Sequence, residues 1–136
     1  GAAAREALAV IPADATVAAN TPLVPLLARR EVLVRFPFST GYLDREGVAR
    51  EVNWIAIDLN QLERYGVAFR GDWKQLLRSR EWLKQHRTSH SVRSMQDGVL
   101  VLERNGFRNA ALEQKLTRAL ERPLPPDPRQ KRNENG

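Results

Sequence analysis

Cysteine is absent from this chain of 136 residues, which excludes disulfides, thiolate nucleophiles and cysteine-based metal sites together. Histidine occurs twice, at His86 and His90. A spacing of four suits two ligands on one helix face. Thr88 and Ser89 lie between them at a predicted helix end, however, and no third ligand is near in sequence, so neither a metal nor a cofactor is expected. No apolar run reaches the roughly 18 residues that would suggest a bilayer span. Arg5 and Glu6 interrupt the first ten residues, which therefore lack the apolar core of a secretory signal. Gly1 is compatible with a cloning remnant, and the chain is then expected to be a piece excised from something longer. A P-loop, a G-x-G-x-x-G turn, a Ser-His-Asp order and a paired-carboxylate motif are all missing, so no catalytic residue is assigned.

What is present is enough apolar sequence, 42%, to form one domain with a real core. Residues 1–121 are read as a single α/β domain. The segment Ile11–Pro37, IPADATVAANTPLVPLLARREVLVRFP, carries most of the information. Pro12-Ala13-Asp14 is turn chemistry, and Thr16–Ala19 is a short buried strand. Asn20-Thr21-Pro22 opens a helix, because Asn or Thr can cap free N–H groups and Pro is tolerated in the first turn. Glu31–Phe36 is a second strand. Phe38–Arg50 reads as a loop containing Gly41 and Gly47, with a charged stretch at Asp44, Arg45 and Glu46. Asn53–Leu59 is nearly all apolar, as in a parallel-sheet strand covered on both faces.

Leu62–Tyr65 suggests a helical turn, and Val67–Phe69 a short extended piece. Asp72–His86 is the clearest helix, with Asp72 as its cap and Trp73, Leu76, Leu77 and Leu83 as its apolar stripe. Trp73 is assigned to the core and Trp82 to the flank of that stripe. His90–Met95 and Val99–Glu103 flank Gln96-Asp97-Gly98, a strong hairpin signal. Asn109–Leu120 closes the domain as a helix. Four of the eight prolines fall in the charged segment 122–136, which is read as a disordered tail. The implied fold is α/β: a small mixed sheet with a parallel β-α-β start, an antiparallel C-terminal hairpin, and helices packed on the sheet.

The net charge is +6, and it is concentrated. Between Arg70 and Arg93, seven cations face two acids, a surplus of five. Arg70, Lys74, Arg78, Lys84 and Arg87, with Trp82 among them, are candidates for contact with an anionic surface. A solvated helix face is the plainer account of the same residues. Asn20 and Thr21, at a strand's carboxyl end and a helix start, and Asp58, at the end of the apolar strand, are candidate ligand-binding residues. Ordinary capping explains them equally, since no glycine there lets backbone approach a phosphate.

The ordered series IPADATVAANTPLVPLLARREVLVRFP, WIAIDL, YGV and DGVLVLER resembles the C-terminal soluble region of the domain-of-unknown-function 2079 family. These are predicted polytopic membrane proteins, and the resemblance covers roughly Ala7–Arg104. It implies that the domain follows a bundle of transmembrane helices similar to integral-membrane glycosyltransferases, and that it faces the extracytoplasmic side, periplasmic or cell-surface. The partners so implied are the transmembrane portion of the same polypeptide and an anionic lipid or a glycan. The resemblance would also place a His in the Pro-containing helix, as Pro-His-Leu. This chain has Pro25-Leu26-Leu27, and any chemistry of that His is lost.

The leading expectation is thus a non-catalytic accessory domain of a membrane protein. One alternative is a substrate-binding domain of a membrane glycosyltransferase. Another is a nucleic-acid binder using the 70–93 segment, disfavoured because no recognised motif supports it. Phosphate-driven binding would show a mobility shift at about 50 mM salt that disappears steeply as salt is raised. Absence of any shift removes that alternative.

Overall fold

The computed structural model describes residues 1–130. The main sheet has five strands in the order β2-β1-β5-β7-β6. They are β1 (Val17–Ala19), β2 (Leu33–Arg35), β5 (Trp54–Asp58), β6 (His90–Gln96) and β7 (Val99–Arg104). β1 runs parallel to both β2 and β5, whereas β5–β7 and β6–β7 are antiparallel. A separate two-stranded sheet pairs β3 (Gly41–Leu43) with β4 (Ala49–Glu51). The helices are α1 (Ala2–Leu8), a 3-10 helix (Thr21–Leu27), α2 (Leu59–Gly66), α3 (Arg70–Gln85) and α4 (Ala110–Glu121). The mixed α/β architecture anticipated from the sequence is the one found.

The alternation of side chains along the strands makes two cores. Ala18, Ile55, Ile57, Leu100 and Leu102 face one side, with Leu62, Leu76, Leu83 and Leu116 from α2, α3 and α4. Val17, Ala19, Trp54, Ala56, Val99 and Val101 face the other, beneath Ala4, Ala7 and Leu8 of α1 and Leu23 and Leu27 of the 3-10 helix. Large aliphatics thus line the side that carries three helices. Alanines let the short α1 sit close on the other. Both faces of β5 are covered, as a continuous apolar run requires. Each fully buried Ile or Leu contributes about 1.5–3 kcal/mol.

Several local expectations are revised. The first crossover is a 3-10 helix with Pro22 in its first turn and Pro25 inside it, because two prolines so close remove donors an α-helix would need. Asn20 stands at its N-cap but makes no side-chain cap bond. The stretch read as a loop at 38–50 contains the β3–β4 hairpin, turned by Asp44, which accepts from the backbone N–H of Glu46 and Val48. Val67–Phe69 is a turn, with the N–H of Ala68 and of Phe69 both donating to the Tyr65 carbonyl. α3 starts two residues before Asp72, and Phe69 occupies the cap position without a side-chain bond.

The segment 122–127, expected to be disordered, lies against α3. Trp73 Nε1 donates to the Pro125 carbonyl at 2.8 Å. Arg80 donates to the carbonyls of Leu120 and Arg122, and Arg70 approaches Asp127 at 3.4 Å. Residues 131–136, the end of that segment, lie outside the described residues.

The β6–β7 hairpin turns on Asp97 and Gly98, with φ of 48° and 80°, the double positive φ of a type I′ turn. A Cβ on Gly98 would stand 2.6 Å from Asn60 Cβ and 2.9 Å from Asn60 N, and the Gly98 carbonyl accepts the Leu59 N–H that opens α2. Gly98→Ala therefore combines backbone strain with a clash against a helix start. It should cost about 2–4 kcal/mol in urea unfolding, and a loss below about 0.5 kcal/mol would contradict this account.

Candidate functional site

The polar residues singled out in the sequence meet at the carboxyl ends of β1 and β5. Asn20 is fully buried. Its Oδ1 accepts the Asp58 N–H at 2.9 Å, and its Nδ2 donates to the Asp58 carbonyl at 3.3 Å. Its own N–H donates to Ala56. The side-chain amide thus adds one more rung to the β1–β5 ladder where the backbone turns away. Asp58 Oδ1 in turn accepts the Gln61 N–H at 2.9 Å and caps α2. Thr21 Oγ1 accepts from Arg35 at 3.3 Å. The three residues are brought together, and the hydrogen bonds of each run to the framework.

An open cleft of about 710 Å³ lies beside this point, between the start of α2, the β6–β7 turn and α4. Lys115, Arg118 and Arg122 line one wall, opposite Glu63 and Asp97. Arg122 pairs with Glu63 at 3.2 Å, and Lys115 reaches the Met95 carbonyl at 3.4 Å. Sequence reading passed over these cations because it took 109–120 only as the helix that closes the domain. Their spacing of three and four was the available signal.

The basic segment divides. At 3.6 residues per turn, Arg70, Lys74, Arg78 and Lys84 share the outward side of α3, with Glu81 among them. Lys74, Arg78 and Lys84 are exposed. Arg87 turns to α4, donating to the Glu113 carbonyl and to Thr117 Oγ1 at 3.1 and 3.2 Å. Arg80 is buried under the end of α4. Arg93 is the extra residue of a bulge between Val92 and Ser94. The bulge directs it to Glu103 and over the Trp54 ring, 5.5 Å from the centroid.

Trp82 is half-buried in an aromatic cluster. It meets Phe36 edge-on at 5.2 Å and stacks on His86 at 4.0 Å with an interplanar angle of 11°. His90 stands edge-on to it at 4.9 Å. Little of the Trp82 ring is left for an outside partner. Trp73, assigned to the core, is likewise half-buried, under the 122–127 segment. The two histidine rings are 5.9 Å apart, and among the described residues no three of His, Cys, Asp and Glu are grouped so as to hold a metal ion. His90 Nδ1 is hydrogen-bonded to Ser89 Oγ at 2.7 Å. Burial, and then the proximity of His86 and Arg104, push the His90 pKa down to about 4. A base so weak is poorly matched to proton transfer at neutral pH.

The family model described as "Predicted membrane protein (DUF2079)" matches residues 1–101, well over half of the chain. The chain belongs to the DUF2079 family. No curated protein and no solved structure matches it. The match takes in everything through the first three residues of β7, so the candidate residues from Asn20 to Arg87 all fall inside the family region. Lys115, Arg118 and Arg122 of the cleft wall fall outside it. No helix among the described residues is long and apolar enough to cross a membrane.

The His90 shift has a sign that can be measured. The folded state holds the imidazole neutral down to about pH 4, whereas the free group titrates at 6.5. Between these values the unfolded chain binds the proton and the folded chain does not, so stability is full above about 6.5 and falls as the pH drops toward 4. The loss attributable to this group approaches about 3 kcal/mol. Urea unfolding of the wild type and of His90→Gln at pH 7 and pH 4 should show the variant losing less on acidification. Parallel losses would remove His90 as the source.

Proposed function

We propose that this chain is an accessory domain of a polytopic membrane protein, carrying no reaction of its own and lying on the extracytoplasmic side, where it meets lipid head groups or glycan. The observation that carries this reading is the engagement of Asn20 and Asp58 with the framework. The amide of one and the carboxylate of the other serve strand pairing and helix capping at the place where an open α/β sheet usually receives its ligand. Membership in a family of predicted membrane proteins supports the tether. The exposed cations Lys74, Arg78 and Lys84 support an anionic contact. The glycosyltransferase-like character implied by the resemblance belongs, in this reading, to the membrane portion of the polypeptide.

The absence of cysteine from these 136 residues makes the placement testable by a single introduced thiol. Glu46, exposed in the turn between β3 and β4, is replaced by Cys in the full-length protein with any cysteines outside this domain removed. A membrane-impermeant maleimide should label Glu46→Cys in intact cells. Labelling that appears only after permeabilisation would put the domain on the cytoplasmic side and overturn this reading.

A further inference from the structure

The turn between α2 and α3 exposes Tyr65, Val67 and Phe69 at 41%, 55% and 56%. Three large apolar side chains thus stand within five residues, and the Tyr65 and Phe69 rings are 6.2 Å apart. The backbone that presents them is fixed. Ala68 and Phe69 both donate to the Tyr65 carbonyl, and the Phe69 carbonyl accepts from Trp73. Gly66 lets the Trp73 backbone come within 3.4 Å of the place its own Cβ would fill. The patch is therefore a rigid corner.

Cations border it. Arg64 is exposed on α2, and Lys74 and Arg78 are exposed on the outward side of α3. Glu81, exposed among them, is outnumbered by Lys74, Arg78 and Lys84, and the other acids of this region face elsewhere or are already paired. Asp127 approaches Arg70 and Glu63 holds Arg122, and helical spacing puts Asp72 on the side of α3 away from Lys74 and Arg78.

The exposed apolar surface on the β3–β4 hairpin differs. Leu43 and Val48 stand there among paired charges, Arg45 with Glu31 and Arg50 with Asp44. The α2–α3 corner instead joins three exposed apolar side chains to a surplus of one sign. Aromatic and apolar groups that enter the interface, bordered by cations that meet head groups, are the pattern by which a protein lies on an anionic bilayer.

We propose that the corner Tyr65–Val67–Phe69, with Arg64, Lys74 and Arg78, docks on an anionic phospholipid surface. This deepens the head-group contact proposed above and rests on that reading only in placing the domain beside a bilayer. The 136-residue chain is floated with vesicles of phosphatidylcholine alone and of phosphatidylcholine with about three parts in ten phosphatidylglycerol. Binding should require the anionic lipid and weaken as salt is raised. Val67→Ser with Phe69→Ser should lower the partition about tenfold. Lys74→Gln and Arg78→Gln should each lower it about fivefold. Leu43→Ser with Val48→Ser should leave it unchanged. Circular dichroism checks that each variant is folded.

Equal binding to neutral vesicles, no binding at low salt, or loss carried by the hairpin variant instead would overturn the proposal. So would a chain dimer, seen by sedimentation, that Val67→Ser with Phe69→Ser dissociates, since a second copy would then occupy the corner. Binding to anionic vesicles by a chain whose Glu46→Cys is unlabelled in intact cells keeps this inference and removes only the extracytoplasmic placement.

Discussion

The pairing of the Asn20 side chain with the Asp58 backbone holds the centre of this fold together. β1 and β5 are the parallel pair on which both cores are built, and β1 is only three residues long. A ladder so short is closed at one end by the Thr16 carbonyl and hydroxyl, which accept from Trp54 and Asn53. At the other it is closed by a buried amide that both donates and accepts. Two satisfied bonds make burial of that amide tolerable, where an unpaired one would cost several kcal/mol. The same arrangement fixes the Asp58 backbone, so its carboxylate can cap α2 and α2 can pack against α3. A residue type suggestive of a ligand site thereby becomes part of the scaffold.

The arginines are divided between framework and surface. A helix leaves its last carbonyls without intrahelical donors, and buried Arg80 supplies donors to Leu120 and Arg122 at the end of α4. Glu113, in the first turn of α4, accepts from Arg87, Arg108 and the Val92 N–H, which ties the helix to β6. Arg30 donates to the Ile11 carbonyl at 3.1 Å. Charge counted along the sequence is thus a poor guide to charge displayed. Cations that hold backbone carbonyls contribute less to the outward field than Lys74, Arg78 and Lys84, and that is why the outward side of α3, and not the whole 70–93 segment, stands out as an anionic contact.

The legible parts of the fold were those with a strong local period or a strong turn. WIAIDL announced a strand buried on both faces, and Asp97-Gly98 announced a hairpin whose double positive φ was then found. The β3–β4 hairpin was not legible. Its strands carry Tyr42 toward the core and otherwise face solvent, so no alternation marks them. The 122–127 segment was misread for the opposite reason. Its composition is that of a solvated tail, yet its order comes from Trp73, Arg70 and Arg80, residues more than forty positions away.

By itself the sequence determined the fold class, the strand that carries the core and the family, because these depend on apolar periodicity and ordered motifs that are local. It also excluded cysteine chemistry. Only the tertiary structure decided which polar groups face the framework. Asn20 and Asp58 are 38 positions apart, and whether an amide meets a ligand or a neighbouring strand depends on what the chain brings beside it. The same holds for Trp82, taken from the helix flank into an aromatic cluster, and for Tyr65, Val67 and Phe69, left outside because no other element covers their turn.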